Sequence, residues 1–366
     1  MKICFLGLDN LPVLAPEFNR HGIGGEQVQQ TLLAKALARR GFEISMVVYD
    51  YGQHDCTRWH NVNTHKAFRA DAGLPILRFV YPRWITMWSA MRRADADIYY
   101  LSCAGMQLGL AALFCRRYGR KFVFRVAHDT DCEPDKLLIK YWRDKKLYEY
   151  GLRRANGILV QSIQQQHALR ANYGLRSRVA AMLVEPAEKQ GVRSIDVLWV
   201  NNLRNFKRPD LFLALAKKIP QLNFHMIGGD QPGSGELFEK IKAEAGHIEN
   251  LTFHGRVPYH EIGEKYASAR VFVNTSDTEG FPNSYLQAWI RGTPVVAFFD
   301  PDALIQREKL GFSVCSLDDM ARAVTQLASN HRLWLDSSAR CKIYMKRVYG
   351  ENRAISAYLD MFRKVS

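Results

Sequence analysis

Short runs rich in β-branched and aromatic residues recur along this chain, each followed by a longer stretch in which apolar positions return every three or four residues. The short runs predict buried strands and the longer stretches amphipathic helices, so their alternation predicts βα units around parallel sheets. In the first half the spacing predicts strands at Lys2–Leu8, Glu43–Val48, Asp97–Leu101, Lys121–Val126 and Gly157–Gln161, with a helix over Glu26–Arg39. In the second half it predicts strands at Asp196–Val200, Asn223–Ile227, Leu251–His254, Val271–Asn274 and Pro294–Ala297. Between the two sets, Glu185 to Ser194 is polar, carries Pro186 and Gly191, and shows no periodicity, which makes it the expected linker. The expected fold is therefore α/β, with two doubly wound domains, 1–185 and 186–366. Open α/β sheets bind ligands outside the carboxyl ends of their strands. Two such sheets facing each other would put the site in the cleft between them.

Composition narrows this only a little. The 366 residues are 47% hydrophobic and 24% charged, ordinary for a globular chain and too long for one small core. No run approaches the roughly 18 apolar residues of a spanning helix, and Ile3–Leu8 is short for a signal-peptide core and has no cleavage site after it. The expectation is a cytoplasmic protein. The seven cysteines are scattered and form no Cys-x-x-Cys pair, which argues against a disulfide framework or a zinc site and for reduced thiols, mostly in the core.

Charge changes the picture more. The formal net charge is +15. Residues 1–185 hold 27 basic and 16 acidic side chains, and residues 186–366 hold 24 and 20. A basic first half attracts phosphate-bearing ligands, anionic membrane or nucleic acid through the same long-range field. No nucleic-acid module accompanies it, so nucleic acid is the weakest of the three. Arg78–Arg93 and Lys140–Tyr148 interleave Trp, Tyr and Phe with cations, a mixture suited to the headgroup region of an anionic membrane. The alternative is two core-packing helices with solvated basic faces.

Four stretches and one histidine carry candidate chemistry. The first strand leads to His21-Gly22-Ile23-Gly24-Gly25-Glu26 at the start of a helix, where glycine backbone can approach a phosphate and the helix dipole favours it. A plain tight turn explains the same residues, and the dinucleotide spacing G-x-G-x-x-G is missing. After the strand at 196–200 comes Asn201-Asn202-Leu203-Arg204-Asn205-Phe206-Lys207-Arg208-Pro209, in which three cations can neutralise a pyrophosphate, unless the loop is simply solvated. Further on, Gly255 in Phe253-His254-Gly255-Arg256-Val257 offers a turn at which backbone could meet a nucleobase edge. The fourth stretch is Val271 to Trp289, where a strand ends, a loop bears Glu279, and Gly280-Phe281-Pro282-Asn283 opens a helix. A carboxylate at that position suits sugar hydroxyls better than phosphate; capping the helix is its alternative role. His128 lies just past the strand 121–126, beside Asp129 and Asp131.

In that order, Gly24-Gly25, His128, Arg204 to Lys207, Phe253-His254-Gly255, Glu279-Gly280-Phe281-Pro282-Asn283 and Gly292-Thr293-Pro294-Val295-Val296, the chain resembles the family-4 retaining glycosyltransferases of the GT-B fold over nearly its whole length. The resemblance implies two Rossmann-like domains facing across a cleft, 1–185 for the acceptor and 186–366 for a nucleotide-sugar donor, with the last helix packing back on the first domain. It implies that Glu279, the first acid of an E-x7-E motif, contacts the donor sugar, and that Arg204 and Lys207 clamp the diphosphate with help from backbone at Gly280, Phe281 and Asn283. Gly24, Gly25, Asn202, Gly255, Val257 and Gln287 would complete the donor site, and His128 would reach the donor sugar and the acceptor path. No cofactor and no metal are expected, since cations and a helix dipole serve the leaving group. Asp129 and Asp131 are then left for acceptor contacts or capping.

Two positions depart from the pattern. The second motif acid is Gln287, which keeps one acceptor oxygen and adds donors toward a ribose. Asn202 stands where many relatives have arginine, so Arg204 is expected to take that part. The implied function is transfer of sugar from a UDP- or GDP-linked donor to a glycan or lipid-linked acceptor, in making a surface polysaccharide or glycolipid. Peripheral contact would then place the protein at the inner face of the membrane. The competing functions are a nucleotide-sugar epimerase or hydrolase on the same fold, and a non-catalytic sugar-nucleotide-binding subunit.

Overall fold

The computed structural model describes residues 1–18, 23–74, 77–187, 191–230 and 235–366. Its contacts divide the chain into two compact units, Met1–Leu183 with Glu351–Ser366, and Val184–Gly350. The sequence places the boundary at 185/186, whereas contacts divide the chain after Leu183; they group the last helix, expected to pack back on the first domain, with the first unit. Of the expected linker, residues 188–190 lie outside the described residues.

The first unit holds β1 (Lys2–Leu6), β2 (Glu43–Val48), β3 (Arg58–Trp59), β4 (Val62–Lys66), β5 (Ile98–Ser102), β6 (Lys121–Arg125), β7 (Gly157–Val160) and β8 (Arg178–Val179). They form one sheet in the order β3-β4-β2-β1-β5-β6-β7-β8, parallel throughout except for the short β3–β4 pair. Alternation along each strand sorts the core into two layers. Cys4, Leu6, Tyr99, Leu101, Phe122 and Phe124 belong to a cluster shared with the helices Ile85–Ala94, Met106–Tyr118 and Trp142–Leu152. Their neighbours Ile3, Phe5, Ile98, Tyr100 and Val123 belong to the opposite cluster, closed by the helices Gly25–Arg39 and Glu351–Val365. The sheet is thus wound on both faces. Helices 106–118 and 142–152 touch through glycine: a Cβ on Gly151 would lie 2.4 Å from Leu108 O, and one on Gly109 would lie 2.6 Å from Leu147 O.

The second unit contains β9 (Ile195–Val200), β10 (Phe224–Ile227), β11 (Leu251–Phe253), β12 (Ala269–Asn274), β13 (Val295–Ala297) and β14 (Gly311–Ser313). Their order is β11-β10-β9-β12-β13-β14, and every pairing is parallel. Val197, Trp199, Phe224, Met226, Val271 and Val273 form one core layer with helices Pro209–Lys218 and Leu317–Ser329. On the other face Phe272 meets Tyr266 and Tyr285, and Tyr285 stacks toward Trp289 and so toward Tyr344.

In each unit the strand order reverses once, between β1 and β5 and between β9 and β12. Crevices open at such points because successive connections leave in opposite directions, and ligands bind there. The ten expected strands all form, with ends shifted by a residue or two. Four others, β3, β4, β8 and β14, were not expected. β4 reads Val-Asn-Thr-His-Lys, too polar for a buried run, and the other three are only two or three residues long.

Candidate functional site

The switch point of the second unit is built from two loops. β9 ends at Val200 and β12 at Asn274, and the chain continues from them into Asn201–Arg208 and Thr275–Pro282. The loops are tied together: Trp199 Nε1 donates to Thr275 Oγ1 at 3.0 Å, Thr275 Oγ1 donates to Lys207 O at 2.8 Å, and Asp277 N donates to Phe206 O at 2.9 Å. This lattice brings Lys207 and Glu279 into one place. Lys207 Nζ lies 2.5 Å from both carboxylate oxygens of Glu279, with the side chains only 14% and 9% exposed. Asn274 Nδ2 donates to Glu279 Oε1 at 3.3 Å. Glu279 therefore does not cap the helix that follows, which begins at Asn283 behind Pro282 without any side-chain cap. Asn201 Nδ2 and Ser276 Oγ are buried on these loops with no hydrogen-bond partner among the described residues, an arrangement that a polar ligand or water would satisfy.

The other cations divide their roles. Arg208 is committed to Asp210 at 2.9 Å and Asp277 at 3.4 Å. Arg204 is exposed, its guanidinium 6.0 Å from the Phe206 ring centroid, with Lys207 Nζ at 5.2 Å from the same ring. Two cations thus stand around one aromatic side chain at the strand end. Asn202, in Arg204's loop, is half-buried. Gly280 is buried, and Phe281 packs toward Trp289 and Tyr349 at 6.5 and 6.3 Å, which holds the backbone at the helix start in place. Gly255 takes φ +65°, the left-handed region that glycine enters without penalty, and its carbonyl accepts from Gly228 N at 2.9 Å. That turn is further pinned by Arg256 on Asp230 at 2.7 Å, with half-buried Val257 next in the chain.

Gln287 is one helical turn before Arg291, and Arg291 Nη1 donates to Gln287 Oε1 at 2.7 Å and to Gln287 O at 3.2 Å. Arginine only donates, so the amide oxygen must face it. The acceptor oxygen expected to be open to a ribose is therefore engaged within its own helix, which leaves the amide nitrogen as the group Gln287 can offer elsewhere.

In the first unit, His128 follows β6. Its Nδ1 accepts from Thr130 N at 3.2 Å, so the ring proton sits on Nε2, which can donate. Asp131 Oδ2 accepts from Ala127 N and His128 N at 3.0 and 3.1 Å, closing a capping box around this turn. Asp129 Oδ1 accepts from Gln165 Nε2 at 2.8 Å. These two carboxylates thus shape the turn. Burial first, against its backbone hydrogen bonds, pushes Asp131 up to about 6. Gly24 is the extended N-cap of helix 25–39 and Gly25 its exposed first residue; His21 and Gly22, earlier in the same expected loop, lie outside the described residues.

Several site residues are not marked in the sequence. Arg125, 1% exposed at the end of β6, reaches Glu26 Oε2 at 3.3 Å and so links the strand bearing His128 to the helix behind Gly24-Gly25. Burial raises Glu26 above the ordinary carboxylate range, opposed by Arg125. The signal available for Arg125 and Asn274 was position alone: each is the last residue of a strand.

Two α/β units, each wound on both faces and each with a switch point, define the GT-B class of architecture. Comparison with known proteins bears this out. Residues 23–182 match the family model described as "Glycosyltransferase Family 4", and residues 194–330 match that described as "Glycosyl transferases group 1". Among solved structures, sucrose-phosphate synthase of Thermosynechococcus elongatus aligns over 100% of this chain and 99% of its own at TM-score 0.79 and 16% identity. HepE of Anabaena, in complex with UDP and glucose, aligns over 99% of both at TM-score 0.73 and 14% identity. Curated relatives include the O-antigen biosynthesis glycosyltransferase WbnH of Escherichia coli, 35% identical over 104 residues, 27% of each chain. Another is the alpha-monoglucosyldiacylglycerol synthase of Acholeplasma laidlawii, 27% identical over 55% of this chain and 48% of its own. These matches span between about a quarter and about half of the curated relatives' length. The chain belongs to the family-4 glycosyltransferases of the GT-B fold.

Removing one member of a buried ion pair leaves the other uncompensated, whereas replacing both can be nearly neutral. Lys207→Ala is expected to lower unfolding free energy by roughly 3 kcal/mol in urea titrations. Lys207→Met combined with Glu279→Gln is expected to recover most of that loss. Asp131 supplies a pH signature. Its folded pKa lies above the unfolded value of about 3.9, so its contribution is full below pH ~4 and is lost as pH rises through about 6. Asp131→Asn, which keeps a carbonyl acceptor for both N–H groups, should flatten the stability profile across that window. An unchanged profile would remove this account of the turn.

Proposed function

We propose that this protein transfers sugar, with retention of anomeric configuration, from a UDP- or GDP-linked donor to a glycan or lipid-linked acceptor in making a surface polysaccharide or glycolipid. The observation that carries the proposal is the Lys207–Glu279 pair at the switch point of the second sheet. The carboxylate accepts hydrogen bonds from the donor sugar's hydroxyls, while Lys207 turns part of its charge to the diphosphate. Exposed Arg204 adds a planar fork suited to two phosphate oxygens. Backbone N–H groups of Gly280, Phe281 and Asn283, at a helix start with no competing cap, meet the charge that builds on the leaving diphosphate. Those groups supply the electrostatic work without a resident metal or cofactor. Gly255 and Val257 border the nucleobase, Asn202 and Gln287 the ribose side, and Gly24, Gly25 and His128 complete the donor and acceptor contacts. No carboxylate is assigned as a nucleophile.

Gln287 held by Arg291 favours a second reading, a sugar-nucleotide-binding subunit without turnover. An epimerase or hydrolase on the same fold is the third. They separate experimentally. Donor binding should stabilise the protein by about 2.7 kcal/mol at ligand a hundredfold above its Kd. A thermal-shift screen of nucleoside diphosphates and their sugars is therefore expected to give a specific upward shift, and Glu279→Ala should remove the part of it that the sugar adds over the bare diphosphate. Turnover only with acceptor supports transfer, donor consumption alone supports the third reading, and binding without turnover supports the second. No shift with any nucleotide would overturn the site.

A membrane-facing role for the first unit belongs to the same proposal. Among the described residues no helix is long and apolar enough to cross a membrane. Val80, Tyr81 and Ile85 are nevertheless exposed, and so are Leu138, Tyr141 and Trp142, the last 74% exposed. The two segments are joined where the Arg143 guanidinium stacks 3.4 Å from the Phe79 ring centroid. Met87, Ala90 and Met91 of the helix Ile85–Ala94 are buried, while Ile85, Ser89, Arg92 and Arg93 are exposed, so the helix packs on the core and turns one apolar residue and two cations outward. Apolar anchors with arginines around them fit an anionic bilayer at the cytoplasmic, inner face of the membrane. Co-sedimentation with phosphatidylglycerol vesicles should exceed that with neutral vesicles and fall sharply in Leu138→Ser/Trp142→Ala. Equal binding to both vesicle types would count against the idea.

A further inference from the structure

Away from both switch points, at the end of the first sheet where β3 and β4 form a hairpin, three metal-ligating side chains converge. Donor atoms of Asp55, Cys56 and His65 all lie within 4.8 Å of one another. Cys56 Sγ is 3.6 Å from His65 Nδ1. Bond lengths of about 2.3 Å for Zn–S and about 2.0–2.1 Å for Zn–N, at a tetrahedral angle, separate sulfur from nitrogen by about 3.5 Å. The pair is already at the edge length of such a tetrahedron. From these residues we propose a cation site for Zn²⁺ or a metal of similar borderline softness, ligated by Cys56 Sγ, His65 Nδ1 and an Asp55 carboxylate oxygen, with a fourth position for water.

The framework around these atoms is rigid in the way a ligand set requires. Cys56 takes φ +58°, which costs a non-glycine residue and persists only where its surroundings impose it. That conformation brings its thiol to the β4 histidine. The next residue is locked in turn: Thr57 O accepts from both Thr64 N and Thr64 Oγ1, at 2.8 and 2.9 Å. Asp55 is held by two partners. Its Oδ1 accepts from Lys66 N at 2.8 Å, and its Oδ2 is 3.1 Å from Arg93 Nε. A carboxylate has lone pairs left after two such bonds, and outer partners of this kind fix ligating carboxylates in metal sites. His65 is 8% exposed, so its ring is held between the strand and the loop rather than turning freely in solvent. Thiolate, imidazole and carboxylate together suit zinc rather than magnesium or calcium, which take oxygen ligands. The spacing Asp55-Cys56 followed by His65 contains no Cys-x-x-Cys, so the usual sequence rule passes over it.

The cation would staple the Asp50–Thr57 loop to the β3–β4 hairpin at the sheet edge. It takes no part in sugar transfer, so its test is independent of that reading. The full-length protein, stripped with chelator, would be titrated with Co²⁺ as a spectroscopic probe and then with Zn²⁺ in competition. One equivalent of Co²⁺ is expected, with a thiolate-to-cobalt charge-transfer band that Zn²⁺ displaces. Cys56→Ser should abolish the band, and His65→Ala should weaken binding at least tenfold. Cys315→Ser, at another exposed thiol, should leave it unchanged. Nucleotide-induced thermal shifts should be the same in wild type and Cys56→Ser, which keeps folding and donor binding apart from the metal question. Absence of the band in wild type, or its persistence in Cys56→Ser, overturns the proposal.

Discussion

A lysine and a glutamate 72 positions apart, both almost out of water, meet at the carboxyl end of the second sheet. Taking two charges from solvent costs several kcal/mol each, and their attraction seldom more than repays it. Such a pair is weak support for a fold but a strong constraint on one, because neither partner can be lost or moved alone. The strands that carry it must lie side by side, β9 against β12, and the loops beyond them must be cross-linked through Trp199, Thr275 and Asp277. The order of the second sheet, the parallel direction of its strands and the start of the helix at Asn283 are all consistent with keeping this one contact.

The first unit solves a similar problem with different residues. Arg125 is more deeply buried than Lys207, and Glu26 comes from the helix across the sheet rather than from a neighbouring loop. The pair ties the glycine start of that helix to the end of β6, just before His128. Part of the cover on the same face is the helix Glu351–Val365, whose Tyr358 and Phe362 pack near Tyr100. The chain's last helix therefore completes the first unit's core, and the unit closes only after the second has been traversed.

Much of the fold was legible because central parallel strands are buried on both sides and read as unbroken apolar runs. Lys2–Leu6, Glu43–Val48 and Ile195–Val200 show this in the sequence. Edge strands lack that signature. Val62–Lys66, next to one edge, has four polar residues in five although none of them is exposed, and Gly311–Ser313, at the other edge, is defined by pairing with Val295–Ala297 rather than by its own composition. The site followed the same division. Glu279, Lys207 and Gly280 stand in a recognisable local order, and the Gln287–Arg291 hydrogen bond is the ordinary four-residue spacing of a helix, whereas Asn274 and Arg125 act through geometry that no local pattern encodes.

By itself the sequence determined which central segments become strands and which residue types gather at strand ends. Those properties depend on local periodicity and backbone preference, and they survive in any arrangement of the elements. Only the tertiary structure decided which strands are neighbours, and hence that Lys207 faces Glu279 rather than solvent, and that Cys56 sits beside His65. These are contacts between groups far apart in sequence or turned by a single backbone angle. Their energies arise from desolvation and orientation, which exist only once the sheets are assembled.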